Sequence, residues 1–345
     1  MIRFYCDYSQ SAHPRILETI TLHAPQQHPG YGEDEHCKRA ETLIKEACEA
    51  PNAHVHFLVG GTQANTTIIS SILRPHQGVL SADTGHIATH ETGAIEATGH
   101  KVLTLPATQG KITAEQIAQA YDSHFADEAH EHLPQPGLVY LSHPTESGTV
   151  YTLEELTAIS DTCRARNLPL MLDGARLGYG LASPYTTVTL AHVAKLCDVF
   201  YIGGTKLGAL FGEAVVIQND SIKKDFRYLI KRHGGLLAKG FLLGIQFSTM
   251  FEDGLYRELG AHGVEKAMTL RQAFLDLGIP LQYDTGTNQL FPKITESLKE
   301  KLSQDFTFAQ WEKPDATHSV VRFCTSWATT DQEVEALIAA IKKHH

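Results

Sequence analysis

Residues 168–208 read LPLMLDGARLGYGLASPYTTVTLAHVAKLCDVFYIGGTKLG. Two short apolar runs, Leu168–Leu172 and Asp198–Ile202, each end in a polar, glycine-containing segment. The first is followed by Asp173-Gly174-Ala175-Arg176 and the second by Gly203-Gly204-Thr205-Lys206. Short apolar runs closed by turn residues are the mark of buried strands. Working outward, the same pattern predicts strands over His54–Val59, Gly78–Ala82, Lys101–Leu105, Gly137–Ser142 and Glu213–Ile217. Helical periodicity falls between several of them, over Ala64–Leu73, Thr113–Phe125 and Leu153–Arg166. The last begins with Thr152 and carries Glu155 three residues on, a reciprocal cap. Strands alternating with helices argue for an α/β fold with a mainly parallel central sheet. In such open sheets ligands bind beyond the carboxyl ends of the strands, where the two polar segments lie.

After about residue 250 the pattern changes. Gly263–Leu277 and Asp331–Lys343 read as helices, and Gln289–Ile294 and Ser319–Cys324 as strands. This predicts a large domain over residues 1–250 and a smaller C-terminal α+β domain over 251–345, which the N-terminal segment could join. A chain of 345 residues that is 42% hydrophobic is long enough to divide in this way. Phe4–Tyr8 reads as the first strand, and residues 126–137 (ADEAHEHLPQPG) as an acidic, proline-containing loop.

Composition removes several functional classes. A net charge of −10 gives no basic surface for a phosphodiester backbone, so no nucleic-acid partner is expected. No apolar run reaches the length of a membrane span, and MIRFYCDYSQ is not a signal peptide. Six scattered cysteines without a CxxC pair fit a cytoplasmic chain without disulfides. The 20 histidines are numerous, and His54 and His56 share a strand face, but their spacings specify no metal site, and none is expected.

Three segments carry candidate chemistry. Gly60-Gly61-Thr62-Gln63-Ala64-Asn65 follows an apolar run and opens a helix. Such a segment exposes backbone N–H groups and the positive end of the helix dipole to a phosphate, although a plain turn and cap reads the same way. It is neither a Walker loop nor a GxGxxG fingerprint. Asp173, at a strand end, is either a cap or an anion able to pair with a protonated pyridine nitrogen. Lys206, in a glycine-rich and uncharged stretch, is either solvated or an amine whose pKa is lowered for use as a nucleophile.

In this order, phosphate loop, then strand-end Asp, then Lys, the chain resembles the aspartate-aminotransferase-type (fold type I) enzymes that use pyridoxal 5'-phosphate. More closely it resembles the low-specificity L-threonine aldolases of the β-eliminating lyase group. The matching segments are Gly30-Tyr31-Gly32-Glu33-Asp34, Gly60–Asn65, His86 in GHIATHETGA, Pro144-Thr145-Glu146, Asp173–Arg176 and Lys206. The resemblance implies that Lys206 carries the cofactor as a Schiff base, that Gly61 and Thr62 hold its phosphate and that His86 stacks on its ring. It further implies that Asp173 pairs with the ring nitrogen and that Arg176 lies near the phenolic oxygen. Ser9, Arg176 and Arg322 would receive the substrate carboxylate. Arg322 also stands on an apolar strand, where a guanidinium needs a partner, whether a bound carboxylate or a structural ion pair.

The same resemblance implies cleavage of L-threonine or L-allo-threonine to glycine and acetaldehyde, with His86 or a water it orients taking the β-hydroxyl proton. It implies a homodimer or a dimer of dimers with shared sites, in which Tyr31 approaches the neighbour's cofactor. The glycine-rich, arginine-containing segment of the family here reads His233–Gly240, so Lys239 stands as a phosphate contact in place of an arginine. β-Elimination and transamination use the same parts. A nicotinamide oxidoreductase would need a glycine fingerprint that is missing, and a non-catalytic cofactor-binding protein would have little use for Asp173, Lys206 and Arg322 together.

Overall fold

A computed structural model describes residues 1–345. Thirteen strands are present. A two-residue strand, β1 (Ile2–Arg3), opens the chain. Seven strands form the central sheet: β2 (His54–Leu58), β3 (Gln77–Ala82), β4 (Lys101–Leu105), β5 (Gln135–Ser142), β6 (Leu170–Asp173), β7 (Val199–Gly203) and β8 (Glu213–Ile217). The last five are β9 (Gln289–Leu290), β10 (Lys293–Thr295), β11 (Phe306–Thr307), β12 (Ala309–Glu312) and β13 (His318–Cys324).

The central sheet runs β2-β8-β7-β6-β5-β3-β4, and only β8 is antiparallel to its neighbours. The mainly parallel sheet expected from the sequence is therefore present. Side chains along its strands alternate between two apolar cores, as a period of two requires. Leu170, Leu172, Phe200 and Ile202 enter one core, while Met171, Val199 and Tyr201 enter the other. Both faces are covered by helices, which explains why these strands read as continuous apolar runs. Because β8 alone is reversed, the carboxyl ends of six strands and the start of β8 share one edge.

Several boundaries shift for physical reasons. The helix read as Ala64–Leu73 spans Gly61–Ile72, so the paired glycines lie at its N-terminus rather than in a loop before it. The helix read from Gly263 runs from Leu255 to Asp276, and Gly254, at φ +75°, sets its start. The stretch Gln289–Ile294 splits into β9 and β10 around Pro292, which has no N–H to donate to a ladder. Phe4–Tyr8 is not a strand. Only Ile2–Arg3 pairs, with β11, and beyond it Asp7 turns inward while Tyr5 and Tyr8 stay about half exposed. Residues 135–137 of the acidic loop belong to β5, and the rest contains a single turn of 3₁₀ helix at His130–His132. Thr152 and Glu155 form the reciprocal cap as read.

A third core gathers Phe4 with Ala267, Leu270, Phe274, Val321, Phe323, Leu337 and Ile341. It joins the first residues of the chain to the C-terminal strands and helices. Leu243–Met250, within the helix Phe241–Phe251, is buried in the chain against the helix Glu35–Ala47. No helix is long and apolar enough to cross a membrane.

Candidate active site

At the shared edge of the strands lies a cavity of about 770 Å³. Lys206, Asp173, Arg176, His86, Gly61, Thr62 and Arg322 all line it. These residues come from segments that follow β2, β3, β6 and β7, and from β13 of the third core. The sequence-derived set therefore converges, with three exceptions. Ser9 is exposed and bonded to the Cys6 Sγ at 3.3 Å, outside the cavity wall. Tyr31 lies under Lys231, whose Nζ is 5.2 Å from its ring centroid, and lines a different hollow. Lys239 is exposed and also absent from the cavity.

Gly61 is the first residue of its helix, and no side chain caps the helix N-terminus. The N–H groups of the first turn are therefore open toward the cavity, the arrangement that binds a phosphate. A Cβ on Gly61 would come within 3.0 Å of the Tyr201 hydroxyl, which crowds the same turn.

Asp173 closes β6, and Gly174 follows it because the backbone turns against β7: a Cβ there would stand 2.0 Å from the Tyr201 carbonyl oxygen. The Asp173 carboxylate accepts from Tyr140 Oη at 2.5 Å, from Asn65 Nδ2 at 3.2 Å and from the Ala175 N–H at 3.0 Å. Burial pushes this carboxyl up, but His86, Tyr140, Tyr201 and the Ala175 N–H outweigh it, so Asp173 is held below its usual pKa and stays anionic. An anion fixed in this way suits a protonated ring nitrogen.

Lys206 follows β7 and forms no ion pair. Burial, then Arg176, lower its pKa, against the opposing charges of Asp7, Asp173 and Glu213. A lysine with a depressed pKa is a better nucleophile at neutral pH. Arg176 is gripped by Asp7 through two bonds, Nε at 2.7 Å and Nη2 at 3.1 Å. Asn288 Nδ2 donates to the same carboxylate at 2.9 Å. Asp7 itself is fully buried, and the pair ties the N-terminal segment to the turn after β6.

Arg322 has no carboxylate partner. Its Nη1 donates to Gln289 Oε1 at 3.3 Å and its Nη2 to the Tyr5 carbonyl at 3.1 Å, while its Nε is buried without a partner. Trp311 lies 5.5 Å from the guanidinium. A cation held only by neutral acceptors at a cavity wall is free to take an anionic ligand.

The sequence reading missed Asp7, Asn65, Glu91, Tyr140, Glu146, Tyr201 and Glu213. Glu91 is fully buried and accepts from His86 Nδ1 at 2.8 Å and from Asn65 Nδ2 at 2.7 Å. Burial lowers the His86 pKa, but the Glu91 bond and the charges of Asp173 and Glu91 raise it further, and the net shift is upward. Glu213 opens β8 beside Lys206. Burial pushes its carboxyl up to about 8, and Thr205 Oγ1 donates to it at 3.0 Å. Asn65, Glu91 and Glu146 did stand in quoted segments, but only the folded chain gives them a place.

The sequence profile of the β-eliminating lyase family matches residues 8–297. A low-specificity L-threonine aldolase of Pseudomonas sp. (strain NCIMB 10558) is 31% identical over 319 residues, covering 90% of this chain and 89% of that protein. The solved structure of a Leishmania major threonine aldolase is 45% identical, superposes with a TM-score of 0.97 and covers 99% of both chains. A Thermus thermophilus aspartate aminotransferase, at 12% identity and a TM-score of 0.73 over 100% of this chain and 92% of its own, shares the fold. With its strand-end aspartate, its cavity-lining lysine and these relatives, the chain belongs to the β-eliminating lyase family, beside the low-specificity threonine aldolases.

Proposed function

We propose that this protein cleaves the Cα–Cβ bond of a β-hydroxy amino acid, L-threonine or L-allo-threonine, to give glycine and acetaldehyde, using pyridoxal 5'-phosphate. The observation that carries the reading is the meeting, in one cavity, of an amine with a lowered pKa (Lys206), a fixed anion (Asp173) and a guanidinium without a carboxylate (Arg322).

The residues fit the cofactor. The uncapped helix start at Gly61 and Thr62 would hold its phosphate, Asp173 its ring nitrogen, His86 a ring face and Lys206 its carbonyl carbon. Arg176 would stand near its phenolic oxygen. When bound, the cofactor supplies an electron sink for the pair left on Cα. The chain does the rest. Arg322 orients the substrate carboxylate, with Arg176 beside it, and that orientation selects which bond at Cα is weakened. His86, Tyr140, Tyr201 and the Ala175 N–H hold Asp173 anionic.

We assign Tyr31 and Lys239 to the site of a neighbouring copy, in a homodimer or a dimer of dimers. Their position outside this chain's own cavity and the exposure of both residues support that assignment. Ser9 is left out of the carboxylate site. A division near residue 250 into a large and a small domain is supported by the separate third core. The six free cysteines support a cytoplasmic location.

Product identity tests the function. L-Threonine or L-allo-threonine should give glycine and acetaldehyde in equal amounts. A 2-oxo acid with ammonia would mean elimination instead, and a requirement for a keto-acid acceptor would mean transamination.

A further inference from the structure

We propose that the Glu146 carboxylate, and not His86, takes the β-hydroxyl proton of the substrate. This deepens the aldol-cleavage reading and rests on it. Glu146 follows β5 and lines the same cavity as Lys206, His86 and Arg322. One of its oxygens, Oε1, is pinned: it accepts from Ser142 Oγ at 2.6 Å and from the His86 backbone N–H at 2.9 Å. Neither donor uses Oε2, and no Lys, Arg or His side chain forms an ion pair with the group. A carboxylate anchored through one oxygen, with the other uncommitted at a cavity wall, is oriented to exchange a proton with a ligand.

The other candidates are committed elsewhere. His86 is committed through Nδ1 to the buried Glu91 at 2.8 Å, and against burial that bond and the charge of Asp173 raise its pKa, which strengthens its hold on a proton it already carries. Glu213 bonds Thr205 through Oε1, and its Oε2 is sealed from the cavity. His90 is exposed, stacks at 5.6 Å on His86 and bonds Thr89 Oγ1 through Nδ1 at 2.6 Å. It is the one competing base.

The charged and titratable groups that bear on Glu146 are Asp173 from β6, Tyr140 from β5, Tyr151 beyond it, and His86. Burial first, and then Asp173, raise the carboxyl above the ordinary 4.5, so its proton leaves closer to the working pH.

The step balances. The carboxylate oxygen takes the β-hydroxyl proton, and the O–H pair becomes the second bond of the aldehyde carbonyl. The Cα–Cβ pair stays at Cα, where a proton from water completes glycine, and Glu146 releases its own proton to water.

The test uses the holoenzyme and Glu146→Gln, which keeps an acceptor oxygen for Ser142 and the His86 N–H. Three readouts separate chemistry from structure. Glycine binding, followed by the cofactor's absorbance, and exchange of the glycine α-proton in D2O need no β-hydroxyl, and both should stay within about threefold of wild type. Acetaldehyde release from threonine should fall by about a hundredfold or more, the scale of a lost general base. The acidic limb of the kcat/KM profile, set above pH 4.5 in wild type, should disappear. Glu146→Asp, which keeps the carboxyl, should recover part of the cleavage with the limb still present, and serves if the glutamine variant does not fold. Equal loss of cleavage and α-proton exchange would overturn the proposal. So would unimpaired cleavage in Glu146→Gln, a glutamate-like limb that persists in it, or the same split between the two activities in His90→Phe.

Discussion

Arg322 shows how a single residue's partners define its use. In an apolar strand a guanidinium was expected to need either a bound carboxylate or a structural ion pair, and the fold supplies no ion pair. Its two neutral acceptors and its orphaned Nε leave it ready for a substrate carboxylate. Arg322→Lys keeps the charge and removes the fork, so KM for threonine should rise about ten- to hundredfold, as loss of a charge-assisted bond implies, with kcat changing less. Steady-state kinetics of the two proteins check this, and an unchanged KM would remove Arg322 from the carboxylate site. At this scale the sequence was legible where residues sit in strand-end motifs, as Lys206 and Asp173 do. It was silent on Asp7, whose contact with Arg176 spans a separation of 169 residues and has no local pattern to announce it. The same holds for Glu91 and Glu213, whose meaning comes only from the atoms packed around them.

At the scale of elements, the inner strands of the central sheet could be read because burial on both faces turns them into apolar runs, while the edge strands β2 and β4 keep exposed His54, Lys101 and Thr104 among their apolar residues. Edges were less legible, since helix starts at Gly61 and Leu255 depend on backbone geometry rather than on periodicity. The N-terminal segment is the clearest case. Phe4–Tyr8 has strand-like residues, yet only Phe4 makes ladder-like backbone bonds, to Thr307 and Cys324, and the rest is held by a buried ion pair, Asp7 with Arg176. Asp7→Ala strands a guanidinium that is only 14% exposed. Breaking such a pair from one side should cost about 3–5 kcal/mol, read as a lower urea midpoint. It should also loosen the turn that carries Asp173 and so weaken cofactor retention. A variant as stable as wild type would show that the pair contributes little.

At the scale of the molecule, the strand order, the single antiparallel strand and the third core bring residues from opposite ends of the chain to one cavity. Tyr31 and Lys239 do not line it within one chain, and the neighbouring copy that the family resemblance gave them is not part of a single chain's fold. If Lys239 serves a neighbour's site, two inactive variants should complement. Lys206→Ala and Lys239→Ala subunits, refolded together in equal amounts, should regain about a quarter of wild-type activity through hybrids with one intact site, assuming random pairing in a two-fold dimer. No recovery, with hybrids confirmed by native mass spectrometry, would place Lys239 outside the site.

The central claim is that Lys206 makes this chain an enzyme that splits β-hydroxy amino acids. Its most direct test is one assay of glycine and acetaldehyde on wild type and Lys206→Ala, each loaded with cofactor and given L-threonine and L-allo-threonine in turn. Wild type should give equal amounts of both products, and the variant should lose about a thousandfold or more, the scale of a lost covalent catalyst. Acetaldehyde release by Lys206→Ala at the wild-type rate would contradict it.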